Sequence, residues 1–144
     1  MTVVAWDGHT LAADKRGVQS GFHYPVTKIF RAGDRLVGFA GQADRIGEFR
    51  AWFASGADPA TFPPNTGENA SYFFAVRRDG TIERYESTGW PIIVEGSRFA
   101  CGDGRDYALA AMHLGCDAAA AVGVACTFDV SCGDGLDTLT FEEG

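Results

Sequence analysis

A chain of 144 residues is long enough to close one hydrophobic core and too short for two, so residues 1–144 are read as a single domain. A net charge of −7 and a pI near 4.8 argue against phosphate backbones and anionic lipid as partners, since the basic residues form no stripe beyond the pairs Lys15–Arg16 and Arg77–Arg78. No apolar run reaches the roughly 18 residues that a bilayer span needs.

In chain order, VVAWDGHTLAAD predicts a hairpin that turns on Asp7–Gly8. KIF and RLVGFA flank a second tight turn at Ala32-Gly33-Asp34 and predict two further antiparallel strands. Helical spacing then takes over. In QADRIGEFRAWFASG, Ile46, Phe49, Trp52 and Phe53 recur at intervals of three and four, and Gly56 can end the helix. The proline- and asparagine-rich DPATFPPNTGENA reads as a loop. SYFFAVRRDGTIERYES predicts a hairpin on Asp79–Gly80, and GWPIIVEGSRFACGDG supplies more strand material.

RDYALAAMHLG predicts a short helix with Tyr107, Ala108, Ala111, Met112 and Leu114 on its buried side. DAAAAVGVACTF predicts a small-residue helix that packs against something flat, and DTLTFEE a closing strand. Most strands arrive as hairpins, so the helices are not crossovers of one parallel sheet. An α+β layered domain follows, with two sheets face to face and helices outside.

The candidate chemistry starts at Thr2. The small threonine side chain predicts removal of Met1, which leaves a free α-amine beside a hydroxyl. That amine titrates at about 7.7–8.0 when unperturbed, so it can accept the hydroxyl proton near neutral pH. The plain alternative is that threonine is simply common at position two. Asp14 ends the second strand and Lys28 opens the third. Adjacent strands can bring them to the start of the first, where a lysine lowers the proton affinity of its neighbours and a carboxylate orients it. The same spacing also suits a surface ion pair. Gly41 lies at a strand-to-helix junction, where its N–H can meet an oxyanion or merely form a turn.

Other patterns carry less. The near-repeat CGDGRD and CGDGLD lacks the following lysine of a phosphate loop and the alternating carboxylates of a calcium loop. His9, His23 and His113 show no paired spacing, and the cysteines at 101, 116, 126 and 132 form no CxxC. No metal or other cofactor is expected. With no secretory leader read at the N-terminus, reduced thiols and a cytoplasmic setting are expected.

Taken together, TVVAWDGHTLAADKR, VTKIFRAGDRLVGFAGQAD and FACGDGRDYALAAM resemble the proteasome β-type peptidases, and most of all the HslV-like subunits and their short phage or bacterial relatives. The resemblance runs from residue 2 to about 140 and thins through 57–95. It implies an N-terminal-nucleophile hydrolase fold, a four-layer αββα sandwich of two antiparallel sheets flanked by helices. It implies Thr2 as nucleophile, Asp14 as its support, Lys28 as the lysine that tunes protonation, and Gly41 as the oxyanion amide. It further implies unfolded protein or peptide as substrate, a homo-oligomeric ring, and an ATPase unfoldase as partner.

Two departures stand out. Gly102-Asp103-Gly104 occupies the place of the family's Gly-Ser-Gly, so Asp103 can accept a hydrogen bond from the α-amine but, ionised, cannot donate one. Asp129-Val130-Ser131-Cys132-Gly133 resembles the Asp-x-x-Ser-Gly pattern, with Asp129 retained and Cys132 at the serine position. Asp103 and Asp129 therefore complete the candidate site. The final helices are also compressed relative to the family. A non-catalytic self-assembling protein of the same fold, or an amidase acting on a small amide, stays open as an alternative.

Overall fold

The structure, a computed structural model, describes residues 2–68 and 70–141. Met1, whose removal is expected, and Glu142 and Glu143, placed in the closing strand, lie outside the described residues.

The first hairpin joins β1 (Val4–Trp6) to β2 (Thr10–Asp14), with Trp6 opposite Leu11. Asp7 shapes its turn by accepting the amides of His9 and Thr10 at 2.8 and 2.7 Å. The hairpin β3 (Arg16–Gln19) to β4 (Phe22–Pro25) adds a pairing that hydrophobic patterning does not reveal. Its turn residues Ser20 and Gly21 both have positive φ, 49° and 79°, the mirror-image turn that matches strand twist. Two further hairpins follow the sequence expectation, β5 (Ile29–Ala32) with β6 (Arg35–Ala40), and β7 (Tyr72–Arg77) with β8 (Ile82–Tyr85). The strand material before Gly102 divides into β9 (Ile92–Val94) and β10 (Phe99–Cys101), and β11 (Leu136–Thr140) closes the described chain.

These strands sort into two main antiparallel sheets, β10-β1-β2-β11 and β5-β6-β7-β8-β9, with β3–β4 as a separate ribbon. Alternation along each strand creates three apolar layers. Val4, Trp6, Leu11 and Ala13 of the first sheet meet Leu36, Phe74, Val76 and Ile82 of the second between the sheets. On the far side of the second sheet, Val37, Phe39, Phe73 and Tyr85 pack on α1 (Ile46–Ala54) through Phe49, Trp52 and Phe53. On the far side of the first sheet, Val3, Ala5 and Ala12 pack on α2 (Arg105–His113) and α3 (Ala118–Phe128). The order is helix pair, sheet, sheet, helix. This is the αββα sandwich expected from the sequence.

The buried side of α2 is narrower than its sequence suggests. Ala108, Ala111 and Met112 are buried, whereas Tyr107 and Leu114 are exposed. The small side chains of α3 bring the two helices together, and only the i, i+3, i+4 row of α2 faces inward. Tyr107 instead stacks on Phe128 at 5.8 Å, and Leu114 lies just past the last helical residue.

Asp7 also ties the first hairpin to α3. Its second carboxylate oxygen accepts the Ala118 amide at 2.7 Å, beside the N-cap Asp117, which takes that of Ala120 at 2.8 Å. Burial pushes the Asp7 carboxyl up, but the bonds from the Thr10, Ala118 and His9 amides outweigh it and hold it below its ordinary range. A carboxylate lowered in the folded state contributes stability above its unfolded pKa of about 3.9 and loses it as pH falls through the lowered value. Asp7→Asn should therefore be less stable than the wild type at pH 7, by ~1 kcal/mol in urea unfolding, with the gap closing as pH falls below the ordinary carboxylate range.

Candidate active site

Thr2 lies at the N-terminal end of β1, where the first sheet meets the second. Register brings Asp14 there: β2 runs antiparallel to β1, so Val4 opposite Ala13 leaves Asp14 beside Val3. The two backbones join at that point, the Asp14 amide donating to the Val3 carbonyl at 3.2 Å. Lys28 sits one residue before β5 and projects into the same space.

All three side chains are buried, Thr2 at 5%, Asp14 at 0% and Lys28 at 4% exposure. Lys28 Nζ donates to Thr2 Oγ1 at 3.1 Å and to Asp14 Oδ1 at 2.9 Å. Asp14 also accepts three backbone amides: Val3 at 3.1 Å, Arg16 at 3.2 Å and Gly133 at 3.0 Å. A buried carboxylate so surrounded is fixed in place and holds the ammonium in one position. The threonine hydroxyl is thereby presented to a fixed cation, in a site largely closed to water.

Two glycines shape the rims. Gly102 has φ +92°, and a Cβ there would lie 2.2 Å from the Thr2 carbonyl oxygen, so only glycine lets the two chains come this close. That carbonyl accepts the Gly104 amide at 3.1 Å, which docks the start of α2 onto residue 2. Gly41 stands across from Ser71, and a Cβ on it would meet Ser71 Oγ at 2.4 Å and Cβ at 2.7 Å.

Clefts open on both sides of Gly41. One, about 390 Å³, runs from Thr2 between the β3–β4 ribbon and the start of α1, with Val18, Tyr24, Val26 and Ile46 among its walls. The other, about 270 Å³, runs from Thr2 past Gly102 and Asp103 to Glu68 and Tyr72. Asp103 is thus an exposed wall of the smaller cleft, beside Thr2.

Asp129 is placed differently. Its carboxylate accepts from Ser131 Oγ at 2.6 Å and Ser131 N at 2.9 Å, and these bonds hold it below the ordinary carboxylate range. It orders the turn after α3, and that turn delivers the Gly133 amide to Asp14. Arg16 clasps the same turn from outside, bonding the Val130 carbonyl and, at 3.0 Å, Asp134 Oδ2. Cys132, at the position of the expected serine, is buried. Burial, with the Asp14 and Asp129 charges adding to it, pushes its thiol up to about 12. A thiol so raised stays protonated at neutral pH and offers no thiolate to rival the Thr2 hydroxyl.

The sequence singled out the three central side chains but not their backbone supports. Gly133 lies 119 positions from Asp14, and nothing in local spacing connects them. Arg16, Asn65 and Ser71 were missed for the same reason. Among the described residues, no cluster of His, Cys, Asp and Glu has metal-ligand geometry, and no helix is long and apolar enough to cross a membrane.

No protein-family model and no curated protein matches the chain. Solved structures do. The chain is similar to Thiobacillus denitrificans BPH in complex with epoxomicin, at 20% identity over 96% of this chain and 97% of that one, with a TM-score of 0.74. It is similar to a second structure of Thiobacillus denitrificans BPH, at 20% identity over 96% of each chain and a TM-score of 0.71. Eukaryotic HslV from Trypanosoma brucei matches at 20% identity over 96% of this chain and 97% of that one, with a TM-score of 0.66. Over 96% of its length the chain therefore has the fold of these HslV and BPH structures, here a sandwich of two antiparallel sheets flanked by helices.

Proposed function

We propose that the chain is a threonine-type endopeptidase subunit of the proteasome β-type and HslV-like family, with Thr2 as its nucleophile. The observation that carries this reading is the buried Lys28 ammonium bridging Thr2 Oγ1 and Asp14 Oδ1. In the reaction, Met1 has been removed and the Thr2 α-amine is free. The Thr2 hydroxyl adds to the peptide carbonyl while the amine takes its proton, directly or through one water. Lys28 stabilises the developing alkoxide, and Asp14 holds Lys28 in place. The Gly41 amide meets the oxyanion. The amine then protonates the leaving nitrogen, and later activates the water that hydrolyses the ester.

The larger cleft takes the side chain on the acyl side of the scissile bond, and the smaller cleft the leaving side. Asp103 borders the amine's side of the site and tunes its protonation, and Asp129 acts by ordering the 129–133 turn. Self-compartmentalisation in a homo-oligomeric ring, fed by an ATPase unfoldase, belongs to the same proposal. The exposed apolar side chains Tyr107, Leu114, Phe128 and Val130 on the outer helical layer support assembly.

Epoxomicin, bound by BPH in the matched structure, is the probe for this chain. Its epoxyketone offers one electrophile to a hydroxyl and a second to an amine, so it reports both on one residue. Intact mass should show the loss of Met1 and, after treatment, one adduct per chain mapping to Thr2. Retained Met1 with no adduct would sink the peptidase reading and leave a non-catalytic assembly protein of this fold.

A further inference from the structure

The segment that carries Gly41 rests on a buried polar bracket. Asn65 is 2% exposed and uses both ends of its amide. Its Oδ1 accepts from the Ser71 amide at 2.7 Å and from Arg45 Nη1 at 3.2 Å, while its Nδ2 donates to the carbonyls of Ser71 at 2.9 Å and Glu86 at 2.6 Å. Ser71 is thus gripped at its N–H and its C=O by one side chain, which also holds Arg45, four residues beyond Gly41. Strand register completes the arrangement. Ala40 pairs with Tyr72, so the next position of each chain sets Gly41 across from Ser71.

Ser71 is fully buried, and its Oγ is, among the described residues, the one buried side-chain polar atom without a hydrogen-bond partner. A hydroxyl in that condition lowers stability, and an alanine there would relieve the cost. It lies directly against the Gly41 α-carbon, since a Cβ built on Gly41 would fall 2.4, 2.7 and 3.0 Å from Ser71 Oγ, Cβ and Cα. An amide that stabilises an oxyanion must keep its direction while charge builds up on its partner. A hydroxyl fixed behind the peptide is placed to hold it once the amide points at the oxyanion.

We infer that Ser71, gripped by Asn65, is a positioning residue for the Gly41 amide, and that its unpaired hydroxyl bonds the Gly41 peptide when that peptide turns toward the oxyanion. The inference rests on the peptidase reading above. Buried polar groups left unmatched in a resting site are where a fold stores a cost that function recovers.

The test compares the wild-type chain with Ser71→Ala and Ser71→Cys, by hydrolysis of a fluorogenic peptide and by thermal unfolding. Ser71→Ala should lower kcat about 10-fold at unchanged KM and raise Tm by about 3 °C. Ser71→Cys keeps a donor in nearly the same place and should recover part of kcat. A raised Tm with unchanged kcat would show the hydroxyl to be only a buried defect, and would overturn the inference while the peptidase reading stands. A parallel fall in Tm and kcat, or a Ser71→Ala chain that does not fold, would assign Ser71 to packing and equally overturn it. A wild-type chain that neither turns over peptide nor takes the epoxomicin adduct removes the peptidase reading, and this inference with it.

Discussion

Thr2→Ala will abolish peptide hydrolysis, by at least about 10⁴-fold in kcat, and leave the melting temperature within about 2 °C of the wild type. The asymmetry follows from what the side chain does in the resting fold. Its hydroxyl accepts a hydrogen bond from Lys28, whose ammonium keeps its 2.9 Å pairing to Asp14 when the hydroxyl is gone. The main-chain anchors of residue 2 and its neighbour, Gly104 N to Thr2 O and Val3 N to Asp14 Oδ1, do not depend on the side chain at all. Structure is therefore conserved while the proposed nucleophile disappears. Thr2→Ser separates hydroxyl from methyl: it retains the nucleophile but loses the β-branch that restricts χ1, and should keep measurable activity below the wild-type level. A Thr2→Ala chain that still cleaves peptide would place the chemistry elsewhere.

Lys28→Met will behave in the opposite manner, damaging fold and activity together. Asp14 is wholly buried, and the ammonium is its nearest compensating charge. Removing one partner of a buried pair leaves the other uncompensated, at a cost of about 3–5 kcal/mol, although the three backbone amides on Asp14 push the loss toward the lower end. Activity should fall by at least about 10³-fold, because the hydroxyl loses the cation that stabilises its alkoxide. The double variant Lys28→Met with Asp14→Asn distinguishes the two effects. It takes away the stranded charge, so urea unfolding should recover part of the lost stability, while peptide hydrolysis should not return. Recovery of both would mean that the pair serves the fold alone.

The two experiments also bear on the departures that set this chain apart from its resemblance. Asp103 beside Thr2 places a carboxylate where the family's serine would stand, and Cys132 places a protonated thiol where another serine would. The central hydrogen bonds run from Lys28 to Thr2 and to Asp14. An active wild type together with an inactive Thr2→Ala would show that this core suffices.

Much of the architecture was legible from local pattern. Asp7–Gly8 and Asp79–Gly80 mark turns because their conformations are demanded within four residues, and Phe49, Trp52 and Phe53 mark a helix face because 3.6-residue periodicity is local too. The β3–β4 ribbon escaped, since Arg16, Gly17, His23 and Tyr24 show no clear alternation and only the Ser20–Gly21 turn signals it. Tyr107 and Leu114 were expected inside on hydrophobicity alone. Which face of α2 is buried depends on how closely the alanines of α3 let it approach, and that distance is a property of the packed pair.

Apart from the β3–β4 ribbon, the sequence by itself determined most of the strand and helix inventory, the layered fold class and the three side chains proposed for catalysis, because each is written in short-range spacing or in a recognisable order of motifs. Only the tertiary structure decided what stands behind those side chains. The Gly133 amide on Asp14, Asn65 gripping Ser71, and Ser71 against Gly41 are contacts between segments far apart in the chain. Their partners are chosen by strand register and loop path rather than by neighbouring residues. A backbone amide carries no side-chain signature, so the supports of a buried charge become visible only when the chain has folded around it.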